Sequence, residues 1–338
     1  MRLTIAIATH GRPELLRRTL ENLASIVPGD PACRIVVAEN GGRLGAEEVT
    51  RSVAVPCRLE YLYLPRPNRC AALNAIIATA PTGLVWFLDD DVTVDREAVE
   101  SYWRSADEEE NQYFGGPMEP EFEEPPPSWL LPYLPRSARG WRWDPACGES
   151  LEEVGFLGAN WAAFAPTLKA MGGFSDQFGP GTGSVGGETE IQRRLRAAGF
   201  VPRYLPEALV RHWVPRERCT PRWALRRAYR IGVSEGLLRP EIVGVPERTL
   251  LGYPRWMWRE WLRRWLDKWH AARSADPAVR FAAAREEALF RGWMAGYRKA
   301  RHQRLRETQE PRDRLAPPSR CHDAAGLPTL SGAADDSP

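Results

Sequence analysis

The sequence lacks any long apolar run, and none of its hydrophobic segments approaches the roughly 20 residues that a membrane-spanning helix needs. Its six cysteines are scattered, with no CxxC pair and no Cys/His spacing of the kind that binds zinc. The first apolar stretch, residues 3–8, is too short for a signal peptide. These absences argue against a disulfide scaffold and a zinc domain, and we expect a cytoplasmic protein with reduced thiols.

A surplus of one charge is also lacking, because 46 Lys+Arg and 44 Asp+Glu residues leave a formal net charge of +2. Arginine is nevertheless crowded into residues 211–230 and again into residues 255–268. An anionic partner would therefore meet a local patch, and we expect no nucleic acid partner. The length of 338 residues fits one large α/β domain with a smaller appendage, and there is no internal repeat.

The N-terminal part alternates short apolar runs with segments of helical periodicity. Strands are predicted at residues 3–8, 34–38, 59–64 and 84–88, with helices after Pro13 and at residues 70–79. This alternation predicts βαβ units and a mostly parallel sheet flanked by helices. Ligands of such sheets bind beyond the carboxyl ends of the strands, where Thr9, Glu39 and Asp89 lie.

The character of the sequence changes after Val99. Residues 117–145 are rich in proline and tryptophan, which predicts an irregular cover segment, and strands follow at residues 156–164 and 201–210. The end of the chain is rich in Pro, Ser, Ala and Asp, which is typical of disorder. We divide the chain into the first part of a single domain (1–115), the second part of the same domain (116–235), a helical C-terminal extension (236–305) and a disordered tail (306–338).

Three consecutive aspartates, Asp89, Asp90 and Asp91, follow the predicted strand at residues 84–88. At a strand end they repel one another unless a cation or hydrogen-bond donors compensate their charge. Mg²⁺ or Mn²⁺ would do so and would keep open positions for phosphate oxygens. A solvated acidic turn or a cap for the next helix explains the triplet equally well, so these residues alone leave both interpretations open.

Further motifs stand in order around the aspartates. They are Thr9-His10-Gly11-Arg12-Pro13, Glu39-Asn40-Gly41, Arg69-Cys70-Ala71-Ala72-Leu73-Asn74, Gly158-Ala159-Asn160, Gly187-Glu188-Thr189-Glu190 and His212. Each motif is modest by itself, but their order resembles that of the family 2 glycosyltransferases, which have the GT-A fold. The resemblance extends from Thr9 to His212 and implies a Rossmann-like domain that binds a nucleotide sugar.

The resemblance also implies a donor site. Thr9 and Arg12 match positions that hold the base and the ribose, and Glu39 matches an acid that recognises uridine. The donor-binding residues implied in this way are Thr9, Arg12, Glu39, Arg69, Asn74, Asp89 and Asp90. Outside the resemblance, the alternatives are that Thr9 caps a helix, that Glu39 is a turn acid and that Asn74 is a helix-surface residue, and the residues alone favour these alternatives.

A catalytic base and a metal shell follow from the same comparison. Glu188 matches the base that takes a proton from the acceptor, while Gly187 replaces the first acid of that motif. Asp91 and His212 match residues that reach the metal, which would be Mn²⁺ or Mg²⁺. The alternatives are that Glu188 and Glu190 stabilise a helix N-terminus through its dipole, and that His212 is structural.

Arginine and aromatic residues alternate directly after His212. Guanidinium groups bind diphosphate in a bidentate manner, and the resemblance places a mobile, donor-closing segment here. The candidate diphosphate contacts are Arg216, Arg218 and Arg222. A basic patch for RNA and a solvated helix face are alternatives.

Residues 255–269 combine tryptophan and leucine at steps of three and four residues with arginine and lysine between them. A basic amphipathic helix of this kind lies in a membrane interface or packs on its own domain or on a partner subunit. A peripheral position at the inner face of the membrane would suit a lipid-linked acceptor.

Together these residues predict a metal-dependent, inverting glycosyltransferase that moves a sugar from a nucleoside diphosphate sugar, with UDP expected, to an acceptor hydroxyl. The acceptor would be a glycan or a lipid-linked glycan in polysaccharide or glycolipid assembly. A sugar nucleotidyltransferase is the nearest alternative enzyme. It needs a glycine-rich phosphate loop after the first strand, and residues 9–13 do not provide one. A non-catalytic nucleotide- or RNA-binding protein has no use for catalytic carboxylates.

Overall fold

A computed structural model of the chain describes residues 1–148, 150–179, 182–238 and 249–314, with side chains as far as residue 304. In this part the strands are β1 (Leu3–Thr9), β2 (Cys33–Asn40), β3 (Arg58–Leu64), β4 (Leu84–Asp89), β5 (Val92–Val94), β6 (Gln112–Gly115), β7 (Met118–Phe122), β8 (Trp161–Phe164), β9 (Val201–Tyr204), β10 (Val210–Val214), β11 (Thr249–Leu250) and β12 (Tyr253–Pro254). The helices are α1 (Pro13–Ala24), α2 (Ala46–Ser52), α3 (Arg69–Thr79), α4 (Arg96–Ser105), α5 (Arg136–Arg139), α6 (Leu151–Val154), α7 (Ala165–Ala170), α8 (Gly187–Ala197), α9 (Pro221–Leu238), α10 (Arg255–Ala271) and α11 (Pro277–Arg314). Short 3₁₀ turns lie at Leu131–Tyr133, Pro145–Cys147 and Arg216–Cys219.

The central sheet has seven strands in the order β3-β2-β1-β4-β8-β6-β9. Strands β3, β2, β1 and β4 are parallel, and β8 runs antiparallel between β4 and β6. Side chains of β1 alternate between two cores, because Ile5 and Ile7 pack with α1 whereas Ala6 and Ala8 pack with α3. The predicted mostly parallel sheet flanked by helices is confirmed.

The strand predicted at residues 156–164 is shorter in the structure, where only Trp161–Phe164 forms β8. Asn160 explains the difference, because its buried side chain joins separate parts of the chain. Its Nδ2 donates to the carbonyl oxygens of Pro117 and Ala208 at 2.8 and 2.7 Å, and its Oδ1 accepts a hydrogen bond of 2.8 Å from the Tyr102 hydroxyl. A buried amide with these partners holds the backbone before β8 in a turn.

A second, three-stranded sheet has the order β5-β10-β7. Its strand β7 lies inside residues 117–145, which were predicted to be irregular, and it pairs in parallel with β10. In the antiparallel pairing of β10 with β5, His212 lies opposite Val92. The backbone N–H of Trp213 donates to the carbonyl oxygen of Asp91 at 2.8 Å. This sheet therefore brings His212 next to the aspartates, although His212 lies 121 positions after Asp91 in the sequence.

Helices α9 and α11 approach each other at four glycines. A Cβ atom added to Gly232 would lie 2.0 Å from the Leu289 carbonyl oxygen, and one added to Gly292 would lie 2.0 Å from the Tyr229 carbonyl oxygen. Gly236 and Gly296 are similarly close to the opposite backbone. Only glycine permits this approach, which fixes α9 on the long C-terminal helix.

Replacing Gly232 by alanine is expected to destabilise the protein. In an ordinary helix this change is stabilising by about 0.5–1 kcal/mol, because glycine loses more backbone entropy on folding. Here the added methyl group would overlap the α11 backbone, and overpacking of this kind costs about 1–3 kcal/mol. Urea unfolding should give a lower midpoint than in the wild type, and an unchanged or higher midpoint would show that the two helices are not packed so closely.

The C-terminal helix α11 continues to Arg314, beyond residue 305 where the helical extension was predicted to end. Residues 315–338 of the predicted disordered tail lie outside the described residues. Among the described helices, none combines the length and the apolar character that a bilayer crossing requires.

Candidate active site

A cavity of about 910 Å³ opens at the carboxyl ends of β1 and β4. The predicted site residues that line it are Thr9, Arg12, Arg69, Asp89, Asp91, Glu188, His212 and Arg218. The predicted residues outside its lining are Glu39, Asn74, Asp90, Arg216 and Arg222. The structure therefore brings most of the predicted residues together from distant parts of the chain.

Asp89, Asp91 and His212 form a cluster with the composition of a metal site. Their ligand atoms all lie within 4.8 Å of one another, and Nε2 of His212 is 3.3 Å from Oδ1 of Asp91. The Oδ1 atom of Asp91 is buried and has no hydrogen-bond partner among the described residues. An unsatisfied carboxylate oxygen beside an imidazole fits a divalent cation with oxygen and nitrogen ligands.

Arginines offset the charge of the two cavity-facing aspartates. Nη1 of Arg12 donates to Oδ2 of Asp91 at 2.5 Å, and Nη1 of Arg218 lies 3.6 Å from the same oxygen. Nη2 of Arg69 donates to Oδ1 of Asp89 at 2.5 Å. Burial by itself would raise the pKa of Asp91, but His212, Arg12 and Arg218 outweigh it and hold that pKa well below its usual range.

Asp90 faces away from the cavity, because successive residues at a strand end point to opposite sides. It is fully buried, accepts a hydrogen bond of 2.5 Å from the Thr9 hydroxyl, and pairs with Arg12. Burial raises the pKa of Asp90 to about 7 although Arg12 opposes the shift. Asp90 thus holds Thr9 and Arg12 in place from behind the cavity wall.

Glu188 lies in the first turn of α8 and lines the cavity. Gly158 makes room for it, since a Cβ atom on Gly158 would lie 3.1 Å from the Glu188 carboxyl carbon. Gly187 has no space for the acid that the resemblance would put there, because its Cβ atom would lie 2.6 Å from the Cys70 sulfur. Within the described part of the chain, the Glu188 side chain makes no hydrogen bond or ion pair, so its carboxylate is available to a ligand.

Glu190 has a different environment two residues later on the same helix. Its carboxylate pairs with Arg194, which donates to it at 2.7 and 2.8 Å. Arg194 also donates to the carbonyl oxygen of Gly173 at 2.6 Å. These contacts give Glu190 a structural role.

Three arginines of α9, Arg226, Arg227 and Arg230, line the cavity together with Arg218. The Nε atoms of Arg227 and Arg230 are buried and have no hydrogen-bond partner in the described residues. Burial lowers the pKa of Arg227 to about 10, although Glu188 opposes the shift. Unpaired guanidinium donors at a cavity wall fit an anionic ligand such as a diphosphate.

Arg216 and Arg222 do not share this position. Arg216 is exposed, and its Nε lies 3.4 Å from Oε1 of Glu217. Arg222 is exposed near the start of α9. Of the three predicted diphosphate contacts, the structure therefore places only Arg218 at the cavity.

The side chains of Glu39 and Asn74 bond elsewhere in the protein. Glu39 accepts hydrogen bonds of 2.6 Å from the Leu44 backbone N–H and from the Tyr61 hydroxyl. Asn74 forms two hydrogen bonds of 2.8 Å with the backbone of Phe174. The structure gives both residues internal partners, and their contact with a donor stays a prediction.

Asn40 and His10 line the cavity although the sequence prediction did not select them. Asn40 Nδ2 donates to the carbonyl oxygen of Thr9 at 2.8 Å, and Nδ1 of His10 lies 2.6 Å from the Asn40 carbonyl oxygen. Glu39 and Asn40 are neighbours on β2 and so point to opposite faces of the sheet. The turn composition after β2 was visible in the sequence, but the face of each residue was not.

The chain is therefore an α/β domain with a mostly parallel sheet, and two carboxylates and a histidine cluster at the carboxyl edge of that sheet. Residues 4–146 match the model of glycosyl transferase family 2. The chain is 26% identical over 245 residues to the succinoglycan biosynthesis protein ExoM of Rhizobium meliloti, covering 71% of this chain and 76% of the relative.

A solved structure supports the fold assignment. The mannosyltransferase PcManGT from Pyrobaculum calidifontis, in complex with GDP-Man and Mn²⁺, matches with a TM-score of 0.51 and 17% identity. The match covers 90% of this chain and 86% of that protein. The predicted GT-A-like fold is thereby confirmed.

Proposed function

We propose that the protein transfers a sugar from a nucleoside diphosphate sugar to an acceptor hydroxyl with inversion, in a metal-dependent reaction. The observation that carries this proposal is the juxtaposition in one cavity of the Asp89, Asp91 and His212 cluster, the unpaired Glu188 carboxylate and the arginines of α9, two of which have a buried Nε atom without a partner in the described residues. Each group matches one requirement of sugar transfer: charge on the leaving group, a proton acceptor and binding of the diphosphate.

Asp91 and His212, with Asp89 beside them, would hold Mn²⁺ or Mg²⁺. A divalent ion held there would supply positive charge against the departing diphosphate. Arg218, Arg227 and the other arginines of the cavity wall supply further positive charge on the same side. Thr9 and Arg12 would hold the nucleoside, kept in position by Asp90.

Glu188 would act as the general base. It accepts the proton of the acceptor hydroxyl while the oxygen attacks the anomeric carbon of the sugar and the bond from that carbon to the diphosphate oxygen breaks. Attack on the side opposite the leaving group inverts the anomeric centre. Arg69 and Arg227 attract the Glu188 carboxylate electrostatically, which would keep the glutamate on the side of the cavity where the reaction takes place.

The donor and acceptor are proposed at the level of chemical class. We infer a UDP-linked donor bound by residues 1–115 and a glycan or lipid-linked acceptor bound by residues 116–235. ExoM takes part in succinoglycan biosynthesis, which supports polysaccharide assembly as the setting. The reaction would take place in the cytoplasm or at the inner face of the membrane.

A nucleotide-release assay tests the proposal. The full chain is incubated with UDP- and GDP-linked sugars in Mn²⁺, in Mg²⁺ or in EDTA, and free nucleoside diphosphate is measured. We expect slow, metal-dependent release of UDP from one or more sugars, which EDTA abolishes. Release of pyrophosphate from a nucleoside triphosphate and a sugar phosphate would instead identify a nucleotidyltransferase. RNA binding without any nucleotide release would contradict catalysis altogether.

A further inference from the structure

The exposed apolar surface of the described chain is concentrated around α10. Of eleven large hydrophobic side chains that are exposed in the described residues, seven lie between Leu250 and Trp269. Four of them form one apolar stripe along α10, because three- and four-residue steps keep them on one helix face. The apolar stripe consists of Leu262, Trp265, Leu266 and Trp269.

The opposite face of α10 already packs on the protein. Met257 is fully buried in a cluster with Phe290 and Tyr297 of α11. On the same side, Arg264 donates to Glu286 at 2.9 Å and Lys268 lies 3.2 Å from Glu287. Attachment of α10 to its own domain therefore uses this face and leaves the apolar stripe in water.

The turn between β11 and β12 adds to the same surface. Leu251 has a φ of 51°, in the left-handed region that a branched apolar residue rarely adopts, and its side chain is 79% exposed. The indole N–H of Trp258 donates to the carbonyl oxygen of Leu250 at 2.9 Å. Trp258 lies one turn before Leu262, so the turn sits at the N-terminal end of the apolar stripe. A strained residue that exposes an apolar side chain indicates a functional contact.

Arginine side chains flank the apolar stripe at both of its ends. Arg255 and Arg259 precede Leu262 at helical spacing, are exposed, and make no ion pair with any residue that the structure describes. Arg273 follows Trp269 by four residues and stacks on its ring at 3.5 Å. Neighbouring arginines on one face repel one another unless an anion lies between them.

We propose that the apolar stripe and the Leu250 and Leu251 turn dock into the interface of a bilayer that contains anionic lipids. Tryptophan and leucine enter the boundary between headgroups and acyl chains, and the flanking arginines attract anionic headgroups. A bilayer is fluid, so it can accommodate one helix face and a projecting apolar turn without offering a complementary groove. The docking does not depend on the proposed sugar transfer.

The position of α10 connects this surface to the cavity. Arg264 of α10 pairs with Glu286, and Glu286 in turn lies 3.0 Å from Arg285, which lines the cavity. A docked α10 would therefore hold the cavity close to the membrane. A lipid-linked acceptor would be within reach there.

Sedimentation with lipid vesicles tests the docking. The full-length chain is mixed with vesicles of phosphatidylcholine alone or of phosphatidylcholine and phosphatidylglycerol in equal parts. We expect binding to the anionic vesicles, a loss of about tenfold or more in the Leu266→Ser/Trp269→Ser variant, and full binding in the control Val201→Ser. Val201 is also an exposed apolar residue, but it lies on β9 and not on α10.

Charge is tested separately with Arg255→Gln/Arg259→Gln. This variant should lose about tenfold in affinity for the anionic vesicles and should no longer distinguish them from neutral ones. Metal-dependent nucleotide release in the absence of vesicles should be unchanged in both double variants, so failure of docking is distinguishable from failure of catalysis. No binding of the wild type to anionic vesicles would overturn the proposal, as would concentration-dependent dimerisation that the Leu266→Ser/Trp269→Ser variant alone abolishes.

Discussion

Replacing Glu188 by glutamine is expected to stop sugar transfer while leaving the donor bound. Glutamine keeps the size of the side chain in the space beside Gly158 but cannot accept a proton. Loss of a general base should lower kcat for transfer by about 100- to 10,000-fold. Donor affinity in the presence of Mn²⁺, measured by calorimetry, should stay within about threefold, because the ground-state donor needs no proton acceptor.

Glu190→Gln is the matched control, since it removes the same charge two residues away on the same helix. Glu190 is engaged by Arg194, not by the cavity, so this variant should retain transfer within a few-fold. Two outcomes would remove Glu188 as the base. One is full transfer by Glu188→Gln, and the other is an equal loss in both variants.

The central strands of the sheet were predictable because they are buried on both faces and therefore appear as continuous apolar runs. Residues 3–9 and 84–89 belong to this class, and their parallel order follows from the helices between them. The aspartate triplet at the end of β4 was equally visible, because parallel strands deliver their carboxyl ends to one edge of the sheet. These features depend on local pattern alone.

The direction in which an individual side chain points depends on more than the local sequence pattern. Glu39 and Asn40 are adjacent in a turn motif, yet only Asn40 lines the cavity because alternation along β2 turns Glu39 toward Leu44 and Tyr61. Asn74 likewise has the polarity of a ligand contact but forms both of its hydrogen bonds with the Phe174 backbone. A sequence read without contacts cannot distinguish a satisfied amide from a free one.

The arginines of α9 illustrate a second limit. The sequence predicted a cationic segment after His212, but the helix begins at Pro221 and only one of its faces meets the cavity. Arg226 and Arg230 are four residues apart and line the cavity, whereas Arg222, one turn earlier on the same face, lies at the exposed start of the helix and is not part of the lining. The phase of α9 is set by its glycine contacts with α11, which are long-range and invisible to local spacing.

Asp91→Asn is expected to abolish the metal-dependent part of catalysis. Asparagine keeps the shape of the side chain but loses the charge that would hold a cation beside His212. Stabilisation of the leaving diphosphate by a metal is worth several kcal/mol, so nucleotide release should fall by about 100- to 1,000-fold. A second readout is the rise in Tm that we expect Mn²⁺ and donor together to cause in the wild type, which this variant should lose.

The difference in Tm with and without Mn²⁺ is the informative quantity, because removing a buried carboxylate also leaves Arg12 and Arg218 partly uncompensated and lowers Tm by itself. Asp107→Asn is the matched control, since Asp107 pairs with Arg2 at the surface at 2.5 Å and does not line the cavity. His212→Gln should reproduce the loss of the Mn²⁺ effect if both residues bind one ion. A Mn²⁺-dependent rise in Tm that survives in Asp91→Asn would place the metal elsewhere and would leave Asp91 as a partner of the arginines only.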